Sequence, residues 1–214
     1  MSLARVVILI SGSGTNMVNL TEACQEGQIP GEVVAVISNK PDAKGLDKAA
    51  QLGINTEVLS HKEYATREDY DQALTQLIDS YQPDVIVLAG FMRILTADLV
   101  RHFSGKMLNI HPSLLPKYKG LNTHQRALDA GDDIHGVSVH FVSEELDGGP
   151  VVLQAQIPIF AGDTVEDLQE RVHEQEYRIY PLVLKWVCEG RLKLTEQGAH
   201  LDGTLLGPQG YAAD

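Results

Sequence analysis

The sequence predicts an α/β fold: one Rossmann-like domain over residues 1–214, with a mostly parallel, twisted sheet, helices on both faces and an antiparallel portion in the C-terminal half. Three observations predict it. Short, almost continuous apolar runs alternate with helical patterns, as is typical of parallel strands buried on both faces. Two late runs are joined by residues 143–150 alone, too few for a crossover helix, so they should pair antiparallel. No linker, repeat or low-complexity stretch divides the chain.

The first half of the chain supplies four predicted strands and the helices between them. Its strands are residues 6–10, 33–38, 56–59 and 85–89. Its helices are residues 16–26, 44–52 and 66–81, and Pro83 stops the last of them. In the first helix Met17, Leu20, Ala23 and Cys24 share one face, so we expect that face to be buried. Right-handed crossovers between such strands give a doubly wound sheet.

The second half begins in the same way and then changes pattern. Its predicted helices are residues 96–102, 123–130 and 164–189, and its strands are residues 107–110, 136–142 and 151–158. A loop with Pro112 and Pro116 follows the first of these strands. Pro181 lies inside the longest helix and predicts a kink or a break, because proline lacks the N–H that the helix needs. Short strands or turns complete the chain.

The charge balance excludes some classes of function. The 214 residues hold 29 acidic and 17 basic side chains, for a formal net charge of −12. Nucleic-acid binding depends largely on Lys and Arg that neutralise phosphates, and binding to an anionic membrane surface also needs basic clusters. We therefore expect small-molecule partners, with no nucleic acid and no membrane, and a monomer or weak homodimer.

Cysteine, histidine and apolar patterns predict a cytoplasmic protein without a metal. Cys24 and Cys188 are far apart, which argues against a disulfide framework and a zinc knuckle. No HExxH motif occurs, and the spacing of His135 and His140 puts them on opposite faces of a strand. No apolar run approaches the roughly 18 residues of a membrane span, and the first strand is too short for a signal-peptide core.

A glycine-containing loop, SGSGTN at residues 11–16, lies between the first strand and the first helix. Its backbone amides and the helix N-terminus would attract an anion. Met17 replaces the third glycine of the dinucleotide fingerprint, and the second strand ends at residues 38–40 without the acid that binds a ribose. Two interpretations remain, a small phosphate site and a tight turn with a helix N-cap.

The predicted strand at residues 107–110 has polar side chains at its carboxyl end. Strand alternation puts Asn109 and His111 on one side, and Leu108 and Ile110 on the other. Ligands bind at the carboxyl ends of strands in open α/β sheets. An amide donor and a histidine that changes charge near neutral pH suit a developing oxyanion. A structural hydrogen-bond network is the alternative.

Asp147 is the third member expected of this site. It lies in the sequence DGGP at residues 147–150, where glycines permit a close approach of the backbone. A carboxylate beside an imidazole favours the charged ring and fixes its orientation. Ser138 and His140 alternate on the preceding strand and are candidates to line the same cleft. A plain turn at residues 147–150 and a structural His140 are the alternatives.

Five segments of the chain carry a resemblance to a known family: ISGSGTN, VLAGFMRIL, NIHPSLLPKYKG, SVHFVSEELDGGPV and the terminal PQGYAAD. Together they resemble the folate-dependent glycinamide ribonucleotide formyltransferases of purine synthesis, from about Val6 to the last residue. The resemblance implies transfer of a formyl group from the co-substrate 10-formyltetrahydrofolate to the primary amine of glycinamide ribonucleotide. Asn109, His111 and Asp147 match the family's catalytic triad.

The resemblance also implies two binding regions. The ribonucleotide site, mainly in the N-terminal half, would comprise Gly14, Thr15, Asn16, His173 and Glu176, and His at position 173 departs from the family pattern. The folate site, mainly in the C-terminal half with the catalytic residues, would comprise Arg67, Met92, Arg93, Ile94, Leu95, Asn109, Ser143, Glu144, Glu145, Leu146 and Asp147. Apolar side chains would sandwich the pteridine, and Arg67 would meet the carboxylates of the glutamate tail.

Other functions fit parts of the pattern. A formyltetrahydrofolate hydrolase resembles this core but carries an N-terminal regulatory domain, for which a first strand at about Val6 leaves no room. A methionyl-tRNA formyltransferase shares the NIHPS-type motif but adds a C-terminal domain for tRNA, and the charge here is wrong for tRNA. The intact triad disfavours an inert phosphate-binding module, and the altered glycine fingerprint disfavours a nicotinamide oxidoreductase.

A basic segment offsets the acidic total locally. Between Asp98 and Asp129 the chain has no acidic residue. The basic residues there are Arg101, Lys106, Lys117, Lys119 and Arg126. Both substrates that the resemblance implies are anions, so this segment is a candidate to face the active site.

Overall fold

The structure, a computed structural model, describes residues 2–212. Its strands are β1 (Ala4–Ile10), β2 (Gly31–Ser38), β3 (Thr56–Val58), β4 (Val85–Leu88), β5 (Met107–His111), β6 (Ile134–Phe141), β7 (Val151–Pro158), β8 (Leu192–Thr195), β9 (Gly198–Leu201) and β10 (Thr204–Leu205). Its helices are α1 (Thr15–Gln25), α2 (Lys44–Gln51), α3 (Arg67–Ser80), α4 (Ala97–His102), α5 (Thr123–Ala130) and α6 (Val165–Cys188), with a short 3₁₀ turn at His61–Glu63. The predicted elements agree with these bounds to within two residues at each end.

The main sheet has seven strands in the order β3-β2-β1-β4-β5-β6-β7. Strands β1 to β5 pair in parallel. β6 runs antiparallel to β5, and β7 runs antiparallel to β6. The pairing of β6 with β7 confirms the prediction made from their short connection. The antiparallel pairing of β5 with β6 was not predicted, because the connection between them contains α5 and has the length of a crossover.

Apolar side chains pack on both faces of the sheet, as predicted for the doubly wound fold. One face packs against α1, α2 and α6, and the predicted apolar face of α1 (Met17, Leu20, Ala23 and Cys24) is buried there. The other face packs against α3 and α4. Complete burial of each large aliphatic or aromatic side chain contributes about 1.5–3 kcal/mol, so these two layers hold the sheet in place.

The long helix α6 does not break at Pro181, so of the predicted kink or break the break is excluded. The helix runs without interruption from Val165 to Cys188. Pro181 has no N–H to donate to the carbonyl of Tyr177, four residues earlier. The side chain of Asn19 on α1 donates to that carbonyl at 3.0 Å. Because α1 supplies the missing donor, the helix continues through the proline.

The last strands form a separate antiparallel sheet in the order β10-β9-β8. The segment after it returns to β7, where the backbone N–H of Tyr211 donates to the carbonyl of Val152 at 2.7 Å. Any side chain at Gly210 would collide with the same carbonyl, so glycine is required for this close approach. Ala213 and Asp214, the end of the terminal PQGYAAD segment, lie outside the described residues.

The order of the strands determines where loops converge. β1 lies between β2 and β4, so the sheet changes its winding direction between β1 and β4. In open α/β sheets the crevice outside the carboxyl ends at this point is the usual ligand site. The connections that follow β1, β4 and β5 all emerge there. Among residues 2–212, no helix combines the length and the apolar character needed to cross a membrane.

Candidate active site

A cavity of about 840 Å³ opens at the carboxyl ends of β1, β4 and β5. Four segments line it, residues 12–16, 88–95, 120–125 and 142–147, together with the end of β5 and the first half of α6. Because these segments follow different strands, the cavity is assembled from distant parts of the chain. Most of the residues predicted for the site lie in its wall.

His111 is held between a backbone carbonyl and a carboxylate. Its Nε2 lies 2.8 Å from the carbonyl oxygen of Tyr118, which can only accept a hydrogen bond, so Nε2 carries a proton. Its Nδ1 lies 3.5 Å from Oδ2 of Asp147. The ring is only 6% exposed, so these two contacts determine its orientation. An acceptor beside each nitrogen suits the doubly protonated, cationic ring.

The Asp147 carboxylate is fixed from the opposite loop. Its Oδ2 accepts the backbone N–H of Gly120 at 2.9 Å. Asp147 itself has φ 51°, in the left-handed region where Asp is one of the few side chains tolerated. A side chain at Gly149 would collide with the carbonyl of Phe141, so only glycine fits at this position of the DGGP turn. The turn thus brings a carboxylate to the imidazole.

The side-chain amide of Asn109 has no protein partner among the described residues. Asn109 lies in β5, between Leu88 of β4 and His140 of β6, and lines the cavity. Leu108 and Ile110 pack in the apolar core, although Ile110 also contributes to the cavity wall. This alternation agrees with the prediction from the strand pattern. The amide is therefore available to a ligand in the cavity.

Of the two further candidates for the cleft, His140 lines the cavity and Ser138 does not. His140 lines the cavity, and its Nδ1 donates to the carbonyl of Phe141 at 2.9 Å. Burial lowers the pKa of His140, which favours a neutral ring whose buried Nε2 has no partner and lies 4.0 Å from Oδ1 of Asp147. Ser138 is fully buried, donates to the carbonyl of Ser113 at 2.7 Å and does not line the cavity.

A pair of histidines, His124 and His135, lies at the edge of the cavity, and the sequence reasoning missed it. Nδ1 of His124 lies 3.0 Å from Nε2 of His135. Burial lowers the pKa of both rings, that of His135 to about 4, so both are neutral at pH 7. His124 lines the cavity. The pair joins α5 to β6, a contact for which the sequence offers no spacing signal.

The glycine loop presents unpaired backbone amides to the cavity. α1 begins after Gly14, which has φ 69° and no side chain to cap the helix. The first backbone N–H groups of a helix have no partner within the helix. A Cβ on Gly14 would lie 2.7 Å from Cα of Gly45, so close packing also requires glycine here. Lys48 donates to the carbonyl of Ser13 at 2.8 Å, which places a cation at the loop.

The first turn of α1 meets α6 at a buried carboxylate. Asn16 donates from Nδ2 to Oε2 of Glu176 at 3.0 Å, and Nε2 of His173 lies 4.0 Å from the same oxygen. Burial raises the pKa of Glu176, and the nearby His173 opposes that shift. Oδ1 of Asn16 is buried without a partner. All five residues predicted for the ribonucleotide line the cavity.

An apolar rim surrounds the opposite part of the cavity. Its exposed side chains are Met92 (63%), Ile94 (56%), Leu121 (69%) and Leu146 (49%). Ser11 fixes the loop that carries two of them, because its hydroxyl accepts the backbone N–H of Met92 at 2.8 Å. Large apolar groups that converge on one open cavity indicate a ligand with an apolar part.

The arginines predicted for folate lie in different places. Arg93 lines the cavity and stacks over the ring of Tyr70, with its Cζ 4.6 Å from the ring centroid. Its Nε is buried and has no partner. Arg67 is exposed at the start of α3, one turn before Tyr70, and does not line the cavity. The other predicted folate residues, Leu95 and residues 143–147 among them, do line it.

The side chains of the basic segment do not line the cavity. They bind other groups: Arg101 binds Glu144 at 2.8 Å, Lys117 binds Asp132 at 3.0 Å, Lys119 binds Glu145 at 2.7 Å, Lys106 donates to the carbonyl of Pro83, and Arg126 donates to the carbonyl of Lys119. None of the five appears in the cavity wall. The expectation that this segment faces the site is therefore not met.

Comparison with known proteins gives close matches over almost the whole chain. Residues 4–184 match the formyl transferase family. The chain is 57% identical over 209 residues to the phosphoribosylglycinamide formyltransferase of Escherichia coli (strain K12), covering 98% of this chain and 99% of that protein. It is 45% identical over 195 residues to the human trifunctional purine biosynthetic protein adenosine-3, covering 91% of this chain and 19% of that longer protein.

Solved structures match the fold equally well. The phosphoribosylglycinamide formyltransferase of Coxiella burnetii, in complex with CHES, has a TM-score of 0.94 and 50% identity over 98% of both chains. Glycinamide ribonucleotide transformylase 1 of Symbiobacterium toebii has a TM-score of 0.90 and 40% identity over 94% of both chains. Because these matches extend over nearly the whole chain, they include the segments that line the cavity.

Proposed function

The chain belongs to the formyl transferase family, and we propose that it transfers the formyl group of 10-formyltetrahydrofolate to the primary amine of glycinamide ribonucleotide. It is a formyltransferase of purine biosynthesis. The products are formylglycinamide ribonucleotide and tetrahydrofolate. The observation that carries the proposal is the position of His111, between the Tyr118 carbonyl and the Asp147 carboxylate and on the same cavity as the unengaged Asn109 amide.

The cavity fits two ligands of different chemistry. Its volume of about 840 Å³ is in the upper part of the usual range of roughly 300–1,000 Å³ for small-molecule sites. The first turn of α1 supplies backbone amides for a phosphate, and the apolar rim supplies Met92, Ile94 and Leu146 for a pteridine ring. Asn109 and His111, at the end of β5, lie on the wall that both regions share.

The reaction moves one acyl group and one proton. The amine nitrogen bonds to the formyl carbon, the bond from that carbon to the folate nitrogen breaks, and a proton passes from the amine to the departing nitrogen. Asn109 donates a hydrogen bond to the formyl oxygen, and the positive charge of the His111 ring, whose two N–H groups face Tyr118 and Asp147, stabilises the negative charge that develops on that oxygen. Such preorganised donors are usually the largest single contribution to catalysis of acyl transfer.

Asp147 has two tasks in this scheme. Its Oδ2 holds the imidazole of His111 and is itself held by Gly120. Its Oδ1 has no hydrogen-bond donor among the described residues and can accept the amine proton through water. Nε2 of His140, neutral and without a partner, lies 4.0 Å from that oxygen and can hold the same water. The carboxylate therefore serves as the proton relay.

The ribonucleotide end is built for a monophosphate and its sugar. The backbone amides of Thr15 and Asn16 bind the phosphate, and Lys48 adds positive charge at the loop. Asn16, His173 and Glu176 bind the sugar and amide groups. The raised pKa of Glu176 reduces the repulsion between this carboxyl and the phosphate. Arg67 meets the carboxylates of the folate tail from outside the cavity.

We further propose that the chain acts in the cytoplasm as a single domain, as a monomer or weak homodimer. Cys24 and Cys188 support a reducing compartment, because both are unpaired thiols. Burial raises the pKa of Cys24 to about 11 and that of Cys188 to about 12, so neither is reactive at neutral pH.

The direct test is incubation of the purified protein with glycinamide ribonucleotide and 10-formyltetrahydrofolate, with mass-spectrometric detection of formylglycinamide ribonucleotide. A parallel reaction without the amine measures hydrolysis. We expect product only when both substrates are present. His111→Asn and Asp147→Asn should each abolish most turnover, while His200→Asn, a histidine change on β9 and outside the cavity wall, should not.

Two outcomes would refute the proposal. Equal release of tetrahydrofolate with and without the amine would identify a hydrolase. Normal turnover in His111→Asn and Asp147→Asn, with both variants folded, would show that the catalytic groups lie elsewhere.

A further inference from the structure

We propose that Arg126 is a positioning residue that holds the backbone of residues 118–121 in the conformation needed by both His111 and Asp147. Arg126 lies on α5, is exposed and does not line the cavity. It therefore touches neither substrate nor the reacting atoms. The expected effect of Arg126 on kcat rests on the proposed formyl transfer, whereas its expected effect on the His111 ring does not.

Segment 118–121 supplies both fixed contacts of the catalytic pair. The carbonyl of Tyr118 accepts from Nε2 of His111 at 2.8 Å, and the N–H of Gly120 donates to Oδ2 of Asp147 at 2.9 Å. Only one residue separates the two groups. A shift of this segment would therefore disturb the imidazole and the carboxylate together.

The segment has little support of its own. Tyr118 has φ 54° and Gly120 has φ 80°, so the backbone turns through left-handed conformations where no regular hydrogen-bond ladder forms. Lys119 is tied to Glu145 by an exposed ion pair of 2.7 Å, and exposed pairs of this kind contribute little. Contacts from outside the segment must hold it, and one of them is the hydrogen bond of 2.6 Å that the Tyr118 hydroxyl donates to Oδ2 of Asp132.

Arg126 provides contacts to the backbone on both sides of Gly120. Its Nη1 donates to the carbonyl of Lys119 at 2.6 Å and lies within hydrogen-bond distance, 3.3 Å, of the carbonyl of Leu121. Its Cζ lies 5.2 Å from the centroid of the Tyr118 ring. The guanidinium thus contacts the residue on each side of Gly120 and stacks on the residue whose carbonyl orients His111.

Among residues 2–212, the guanidinium of Arg126 forms hydrogen bonds only with this segment. Among residues 2–212 Arg126 has no carboxylate partner, whereas Arg101, Lys117 and Lys119 of the same basic segment each bind an acid. A cation with fixed geometry and several donors suits two neighbouring carbonyls and an aromatic face better than an ammonium does. The pattern explains why an arginine stands at this position.

The test compares Arg126→Met, which keeps an unbranched apolar stem but no donor, with Arg126→Lys, which keeps one charged donor. We expect Arg126→Met to lower kcat on the order of tenfold, with the KM for glycinamide ribonucleotide unchanged, because a small displacement of catalytic groups acts on the transition state. Arg126→Lys should recover most of the loss. Arg178→Met, an exposed change on α6 outside the cavity wall, is the matched control.

A spectroscopic measurement distinguishes positioning from a general loss of structure. Imidazole ¹H–¹⁵N correlation spectra, with the His111 signals assigned from His111→Asn, report which ring nitrogen carries the proton. In the wild type we expect Nε2–H of His111, held by the Tyr118 carbonyl. In Arg126→Met we expect this signature to weaken, while the signals of His200 on β9 stay unchanged.

Each outcome decides the inference. Unchanged His111 signals in Arg126→Met, or an unchanged kcat, would overturn it, as would a rise in the KM for the ribonucleotide without a fall in kcat. If Arg126→Met does not fold, the same comparison of kcat and ring signals is made on Arg126→Gln, a polar but uncharged change, where normal values for both would also overturn it. If the wild type forms no formylated product, the proposed function fails, but the ring signals still test the role of Arg126.

Discussion

Asn16 donates a hydrogen bond from its side-chain amide to Oε2 of Glu176 at 3.0 Å, although the two residues lie 160 positions apart in the sequence. The bond joins the first turn of α1 to the middle of α6. Burial raises the pKa of Glu176, and Asn16 supplies the only protein hydrogen bond of this carboxyl among the described residues. The proposed ribonucleotide site is therefore completed only when both ends of the chain are folded.

Substitution of Asn16 should weaken ribonucleotide binding selectively. Asn16→Ala leaves a buried carboxyl without its donor, and such a loss corresponds to roughly 1–3 kcal/mol. We expect the KM for glycinamide ribonucleotide to rise about tenfold, with the KM for folate unchanged. Asn19→Ala is a close control, because it also removes a bond from α1 to α6 but outside the cavity wall. Equal effects of the two changes on this KM would contradict the assignment.

Removal of the Asn109 amide should reduce turnover rather than binding. Asn109→Ala deletes one donor to the developing oxyanion, and loss of one such donor typically lowers kcat by about 10²–10³-fold. Steady-state kinetics with both substrates should show this fall, with either KM little changed. Asn55→Ala, between α2 and β3, is the matched control. A kcat within threefold of the wild type would mean that Asn109 does not bind the formyl oxygen.

Arg67 should affect folate and not the ribonucleotide. A charged contact at an exposed site is worth up to about 1 kcal/mol, so Arg67→Ala should raise the KM for 10-formyltetrahydrofolate about fivefold. The KM for the ribonucleotide should not change, because Arg67 lies on α3, away from α1 and α6. Arg178→Ala supplies the control. If a folate without its glutamate tail shows the same loss in Arg67→Ala, the contact is not with the tail.

Mild acid should destabilise the protein through His135. Burial lowers the pKa of His135 to about 4, whereas the ring in the unfolded chain titrates near 6.5. The unfolded state therefore binds more protons between these values. The stability from the neutral ring is complete above about pH 6.5 and is lost as the pH falls toward 4, by up to about 3 kcal/mol.

Urea unfolding at several pH values tests this dependence. His135→Gln removes the titrating group, so its stability should fall less steeply between pH 6.5 and 4.5 than that of the wild type. His200→Gln, on β9, should keep the wild-type slope. Identical slopes for the wild type and His135→Gln would show that the ring does not carry this dependence.

The fold could be predicted from the sequence because it depends on patterns that the sequence displays. The apolar runs and helical periods locate every element from β1 to α6 to within two residues, apart from the short 3₁₀ turn, whereas β8 to β10 were expected only as short strands or turns. What the patterns could not show is the direction of β6, since α5 gives its connection the length of a crossover. Nor could they show that Asn19 compensates for Pro181, because that bond depends on the packing of two distant helices.

The site was predictable to a similar extent and for a similar reason. Side chains with distinctive chemistry, such as Asn109, His111 and Asp147, are visible in a sequence. The groups that orient them are the carbonyl of Tyr118 and the N–H of Gly120, and backbone groups carry no residue-type signal. The basic segment was expected to face the site for the opposite reason. A sequence shows how many basic side chains a segment has, but it does not show which acids pair with them.

The apolar rim of the cavity has a calorimetric consequence. Met92, Ile94, Leu121 and Leu146 are each at least 49% exposed, so a ligand that covers them removes apolar surface from water. Burial of apolar surface gives a negative change in heat capacity, whereas a phosphate bound by backbone amides buries little. Titration calorimetry at several temperatures should therefore give a steeply temperature-dependent enthalpy for the folate and a nearly constant one for the ribonucleotide. A heat capacity signature of equal size for both ligands would mean that the rim does not close on the folate.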